Sequence, residues 1–431
     1  MTIAGQETCS PALRRDVAPF PRWTAIIPAY GMLAAATPLL YYQAAANWVG
    51  RSAGFIYVVV QLPILAAGIG LLPWLAHSRL MRVLVLTVCL SAASLAWSGG
   101  NVAPYGVEVV LSLVLVLAWS VIVAADPETT RRLARIGVAL VLVALPMTVL
   151  NLLSSGAYSD RLVRYPVIAI ALFSQLLWDM QRKKRGEKVS GASAFNYLVC
   201  LALLAGSTFR AVTLGATLGV GYALWKGRGF LTRVGVALAL ASIVVVASFA
   251  HASSIAIKPE ADRTNLEGRY KSIPVDQFSG RLHIWEGTLN RLLHDSETMT
   301  IGVGLAATGR YVAEANPQIA GATEDHFWLH SHNTLLEMVL AMGIAGLALA
   351  LLIALMVMRR LAVLRDPELW ALWITIGFVA LANVPAFDYF SGSVILLGLG
   401  FGSLLQRKRA LSQEHTGRDA PEVPAGAPRA P

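Results

Sequence analysis

Three histidines, His326, His330 and His332, fall within seven residues, with Asp325 beside them. Three kinds of chemistry are open to such a group. A His-x-His pair with a carboxylate suits zinc. An imidazole with a pKa of about 6.5 accepts a proton at neutral pH and serves as a general base. The same side chains also cap or pack the start of an apolar helix. Asn333 is a capping residue type. Glu337 lies four residues after Asn333 and five after His332, so all three fit around one end of a single helix.

Four arginines stand out because apolar sequence surrounds them. Arg210 sits between two apolar runs, and Arg161 and Arg164 follow Asp160 in a short connection. An arginine at the centre of a membrane helix costs about 2.5–3.5 kcal/mol on insertion scales. Such a residue snorkels to the interface or faces an aqueous cavity and pairs there. Arg281 opens the stretch 279–294, whose apolar positions Leu282, Trp285, Leu289, Leu292 and Leu293 repeat with helical spacing. Ser279 is its candidate N-cap, and a helix of this kind can lie at a membrane surface. A cation at a helix N-terminus opposes the dipole, whereas an anion bound there satisfies both. Four guanidinium forks around one cavity would hold a diphosphate. Apolar surroundings would suit a lipid that carries it.

The elements that must position these residues are membrane helices. The chain has 431 residues, 56% hydrophobic and 14% charged, against about 25% charged in soluble domains. Continuous apolar runs of about 20 residues recur, the length needed to cross about 30 Å of hydrocarbon. They do not alternate as barrel strands do. The expected fold is therefore an all-α integral membrane protein. Twelve spans are expected, at 24–46, 53–75, 80–98, 104–124, 132–153, 162–181, 194–206, 209–225, 229–250, 332–358, 368–386 and 390–406. The expected organisation is a tail at 1–23, nine spans within 24–250, a large outer loop at 251–331, three spans within 332–406 and a disordered tail at 407–431. Arg14, Arg15 and Arg22 precede a first apolar run too long for a cleavable signal.

With the N-terminus cytoplasmic, 24 of the 35 Lys and Arg residues fall in cytoplasmic segments. That is the positive-inside pattern. It accounts for the net charge of +10 without nucleic acid. None of the three cysteines, Cys9, Cys89 and Cys200, lies in the large loop, so no disulfide framework is expected there. Gly302 and Gly304 permit a turn, and Gly343 and Gly346 permit close helix packing. No Walker, Rossmann or Asp-x-Asp signature is present, which argues against a nucleotide-driven reaction.

Three segments together resemble the O-antigen ligase (WaaL) family of the O-antigen ligase/polymerase superfamily. Ser207-Thr208-Phe209-Arg210-Ala211 is similar to its Ser-Arg-Gly-Ala-like motif, with Thr208-Phe209 inserted between serine and arginine. Ser279-Gly280-Arg281 with Ile284-Trp285 is similar to its loop Arg…Trp motif. His332-Asn333-Thr334-Leu335-Leu336-Glu337, followed by Gly343-Ile344-Ala345-Gly346-Leu347, resembles its His-Asn-x-x-Leu…Gly-x-x-Gly-Leu motif. The first half of the chain matches in hydropathy alone. The resemblance implies a GT-C-like fold in the bacterial inner membrane, with both termini cytoplasmic and the site periplasmic. It implies transfer of a glycan from undecaprenyl diphosphate to a sugar hydroxyl of lipid A core, with no cofactor and no metal. Under it His332 is the base and Arg210 and Arg281 hold the diphosphate. Arg161, Arg164, His330, Asn333 and Glu337 are then candidates for substrate binding.

Three rivals stand beside this expectation. A polymerase of the same superfamily commonly divides its site between two large outer loops, and this chain has one. Protein O-oligosaccharyltransferases commonly carry a further soluble C-terminal region. A transporter of lipid-linked glycans would show internal repeats and binding groups at mid-membrane, whereas the polar candidates here gather at the outer face.

Overall fold

The computed structural model describes residues 26–36, 61–70, 78–98, 104–155, 165–189, 191–205, 210–226, 281–317, 331–382 and 393–418. Apolar runs of this composition leave the backbone one way to satisfy its polar groups without water, which is the helix. All regular structure among the described residues is helical. The helices are α1 (Ile27–Ala36), α2 (Gln61–Gly70), α3 (Arg79–Ser94), α4 (Pro104–Ala125), α5 (Pro127–Ser155), α6 (Tyr165–Lys184) and α7 (Gly191–Ala205). They continue with α8 (Arg210–Lys226), α9 (Arg281–His294), α10 (Ser296–Ile301), α11 (Thr308–Ala315), α12 (Thr334–Leu364), α13 (Pro367–Ala382) and α14 (Ser393–Arg418). The protein is thus an all-α membrane protein. Among the described residues, Arg79–Trp97 and Thr334–Leu364 are each long and apolar enough to cross a bilayer alone. The expected span at 229–250 and the loop up to residue 280 lie outside the described residues.

Small residues let the helix backbones approach. A methyl group on Gly215 would come within 2.9 Å of Thr375 and Phe378, and Gly219 faces Ala371. Helices α8 and α13 therefore run antiparallel in close contact. Gly402 approaches the Ser120 carbonyl and Val123 in the same way, joining α14 to α4. Large apolar side chains left exposed, such as Phe195, Leu218, Leu355 and Val363, suit contact with lipid.

At one end of the bundle the basic residues are tied together. Asp366, between α12 and α13, accepts from Lys184 at 2.6 Å and from Arg407 at 2.9 Å. Arg360 donates to Ser78 at 3.3 Å. Helix α14 continues to Arg418, past the boundary expected at 406. Residues 407–418 include Leu, Gln, Glu, Lys and Arg, which favour helix even where hydropathy falls.

Helix α12 is broken at Gly343, where φ is 60° and ψ is −145°. The break frees two carbonyls, and the loop fills the gap. Val303 N–H donates to Leu340 O at 2.7 Å and Gly304 N–H to Ala341 O at 3.2 Å. Leu305 N–H and Ala306 N–H donate to the hydroxyls of Ser94 and Ser98, at 3.1 and 3.2 Å. Residues 336–343 are all buried, while Ile344 is 63% exposed. Residues 344–364 alone rise about 31 Å at 1.5 Å per residue, enough to cross the hydrocarbon. The segment before the break is thus free to serve the extramembrane layer.

Two outcomes are expected. Gly343→Ala places a Cβ against Thr300 and Ile301 in a conformation that favours glycine. It should cost about 1–3 kcal/mol, read as a lower unfolding temperature in detergent. Asp295 caps α10 by accepting from the Thr298 hydroxyl and N–H at 2.6 and 3.0 Å. Those bonds hold its carboxyl below its ordinary 3.8, so its stabilisation is present above that value and is lost as pH falls through the lowered one. Asp295→Ala should cost about 0.5–2 kcal/mol at pH 7. The difference from wild type should shrink on acidification below that range.

Candidate functional site

The site is built around the turn that leads into α12. Asn333 is the N-cap, and its side chain accepts from Leu336 N–H at 3.1 Å. Ser331 sits two residues earlier and is fully buried. Its hydroxyl donates to Asn333 O at 3.1 Å and receives Asn333 N–H at 3.3 Å. His332 lies between them with φ of 52°. A non-glycine residue in that region is uncommon and costs free energy that the surrounding bonds must offset. The histidine is thus held in a fixed, locally strained turn and is half-buried.

Three elements hold this turn from outside. Glu337, 1% exposed, accepts Ser331 N–H at 2.6 Å. The Thr308 hydroxyl at the start of α11 donates to the same carboxylate. Trp285, in the first turns of α9, donates its indole N–H to Ser331 O at 2.6 Å. Asn333 reaches the other way, donating from Nδ2 to Leu381 O near the end of α13 at 3.2 Å.

These contacts also locate the two arginine-bearing helix starts. Arg281 is the first residue of α9, one turn before Trp285. Arg210 is the first residue of α8. In the antiparallel register Gly219 lies against Ala371 and Gly215 against Thr375 and Phe378. Continuing that register brings residue 210 level with Leu381, the residue that Asn333 touches. The backbones at 210, 281 and 332 therefore gather at one end of the bundle, opposite the Asp366 cluster. Two helix N-termini face this region, where partial positive charge favours an anion.

The remaining candidates, Arg161, Arg164 and His330, lie outside the described residues, as do Asp325, His326 and Ser279. Asn333 and Glu337 are in place. Asn333 is engaged with Leu336 N–H and Leu381 O, and the carboxylate of Glu337 is buried against the turn. Sequence reading passed over Ser331, Thr308 and the pair Ser94 and Ser98. The serine pair had a visible signal, two hydroxyls four residues apart at the end of an apolar run. Ser331 had none, since its role depends on the residues folded around it.

Residues 194–351 match the O-antigen ligase family model. Over that segment the chain is similar to the O-antigen ligase superfamily. No curated protein matched the chain. The matched segment begins in α7 and ends in α12, so it contains Arg210, Arg281, His330, His332, Asn333 and Glu337. It excludes Arg161 and Arg164. The similarity supports an enzyme of the glycosyltransferase kind, of ligase or polymerase type. Within the matched segment the candidate site draws on α8, on α12 and on the loop helix α9 between them.

Trp285→Phe keeps the ring and deletes the N–H to Ser331. A buried hydrogen bond contributes about 0.5–1.5 kcal/mol net. The variant should lose thermal stability by that amount, and limited proteolysis should cut more readily between α9 and α12.

Proposed function

We propose that the protein transfers a glycan from undecaprenyl diphosphate to a sugar hydroxyl of lipid A core on the periplasmic face of the bacterial inner membrane. The observation that carries this reading is the gathering of residues 210, 281 and 332 at one end of the bundle. Topology follows from charge. The tied basic ends of α6, α12 and α14 face the cytoplasm under the positive-inside rule, leaving the histidine turn outside.

The diphosphate is a good leaving group once its charge is held. Arg210 and Arg281 hold it from the two helix starts, with Arg161 and Arg164 lending further charge. The acceptor hydroxyl is the poor partner, so a base beside it is what the reaction needs. His332 takes that proton, and the oxygen attacks the anomeric carbon as the carbon–oxygen bond to diphosphate breaks. A single displacement inverts the anomeric centre and needs no metal. His330 and Asn333 are assigned to substrate binding. The single large loop favours ligase over polymerase.

Purified protein with undecaprenyl-diphosphate-linked glycan and lipid A core tests the chemistry. His332→Ala should lower the transfer rate by about 10²–10⁴, the usual range for a lost acid–base group. Arg210→Ala and Arg281→Ala should weaken donor binding, and activity should survive exhaustive chelation. Full activity in His332→Ala would sink the base assignment. In cells, a null strain should leave lipid A core uncapped on a lipopolysaccharide gel while polymer builds up on its carrier. A null strain with no periplasmic polymer would point to a transporter instead.

A further inference from the structure

Glu337 is a buried carboxylate that the reaction above does not use. It lies in the first turn of α12 and is 1% exposed, closed off from solvent. Its carboxylate oxygen accepts Ser331 N–H at 2.6 Å, and it also receives the Thr308 hydroxyl. Ser331 in turn holds Asn333 through its hydroxyl, at 3.1 and 3.3 Å. His332 is the residue enclosed between these two anchored neighbours, with φ of 52°. Local propensity does not favour that conformation, because a Cβ meets the backbone there. Something outside the turn has to impose it.

We propose that Glu337 is the positioning residue for His332, fixing the strained 331–333 turn so that the imidazole faces the acceptor hydroxyl. The assignment rests on His332 being the base. It differs from a substrate-binding role for Glu337, because the carboxylate acts on Ser331 and never on the glycan. Thr308 makes the same device sensitive to the loop. It opens α11, immediately after the segment docked into the α12 break, so seating of the loop and orientation of the base share one carboxylate.

The two substitutions Glu337→Ala and Glu337→Gln separate the possibilities in the full-length protein, assayed with the two purified lipid substrates. The alanine variant loses both bonds and frees the turn. Its kcat should fall by about 10²-fold, the scale of a misplaced catalytic group, with KM for donor and acceptor unchanged. Glutamine keeps an amide oxygen for Ser331 N–H. The Thr308 hydroxyl can rotate to accept from the amide, since a hydroxyl both donates and accepts. Glutamine should therefore recover at least about tenfold over alanine and keep the wild-type pH profile. Combined with His332→Ala, the alanine variant should add no further loss, as expected for residues acting as one unit.

A Glu337→Gln variant as inactive as His332→Ala would overturn the proposal, because the carboxylate itself would then do chemistry. So would a raised KM in either variant, or additive losses in the double variant. If alanine fails to fold, the glutamine rate and pH profile still decide. Full activity in His332→Ala overturns the base reading together with this one. Loss of activity there with additivity in the double variant overturns this one alone.

Discussion

A break in a membrane helix leaves carbonyls without donors, and in hydrocarbon each such group costs several kcal/mol unless protein supplies the missing bond. In this protein the break at Gly343 is met by the N–H groups of Val303 and Gly304. The arrangement works in both directions. The loop closes the break, and the break anchors the loop. A methyl group on Gly302 would come within 2.6 Å of Ala341, Met342 and Gly343, so the close approach depends on small residues on both sides. Everything above the break follows from this docking. Helices α9, α10 and α11 pack on residues 336–343, and the start of α12 is buried beneath them rather than exposed.

The docked layer is itself cross-braced, which gives the histidine turn a firm frame. Asn316 donates to Val312 O and the Thr288 hydroxyl at 2.9 and 3.1 Å, tying α9 to α11. Arg291 stacks over the Tyr311 ring at 4.3 Å and pairs with Glu314 at 2.8 Å. The ion pair is surface-exposed and adds little by itself. The buried apolar contacts of Ile284, Leu292, Val312 and Leu340 carry more of the cohesion. A rigid frame matters for a base that must meet a hydroxyl within hydrogen-bonding reach.

The same frame explains how distant segments meet at one end of the bundle. Helix α8 touches α13 through Gly215 and Gly219, α13 touches the turn through Leu381, and the turn touches α9 through Trp285. Residues separated by more than a hundred positions in the chain are joined by three short-range contacts. Each is a packing or hydrogen-bonding event that requires no charge.

The sequence by itself determined the helical membrane fold, because continuous apolar runs admit no other way to satisfy the backbone. It also determined the capping role of Asn333, since that rests on a short local pattern. The residue types at 210, 281 and 332 were enough to suggest an anion clamp and a base. The tertiary structure alone decided that α12 breaks at Gly343, because glycine spacing permits either close packing or a kink. It alone gave Ser331 and Thr308 their roles and turned Glu337 inward to the turn. Those assignments rest on hydrogen bonds between segments far apart in sequence, and no local pattern encodes which donor will meet which acceptor.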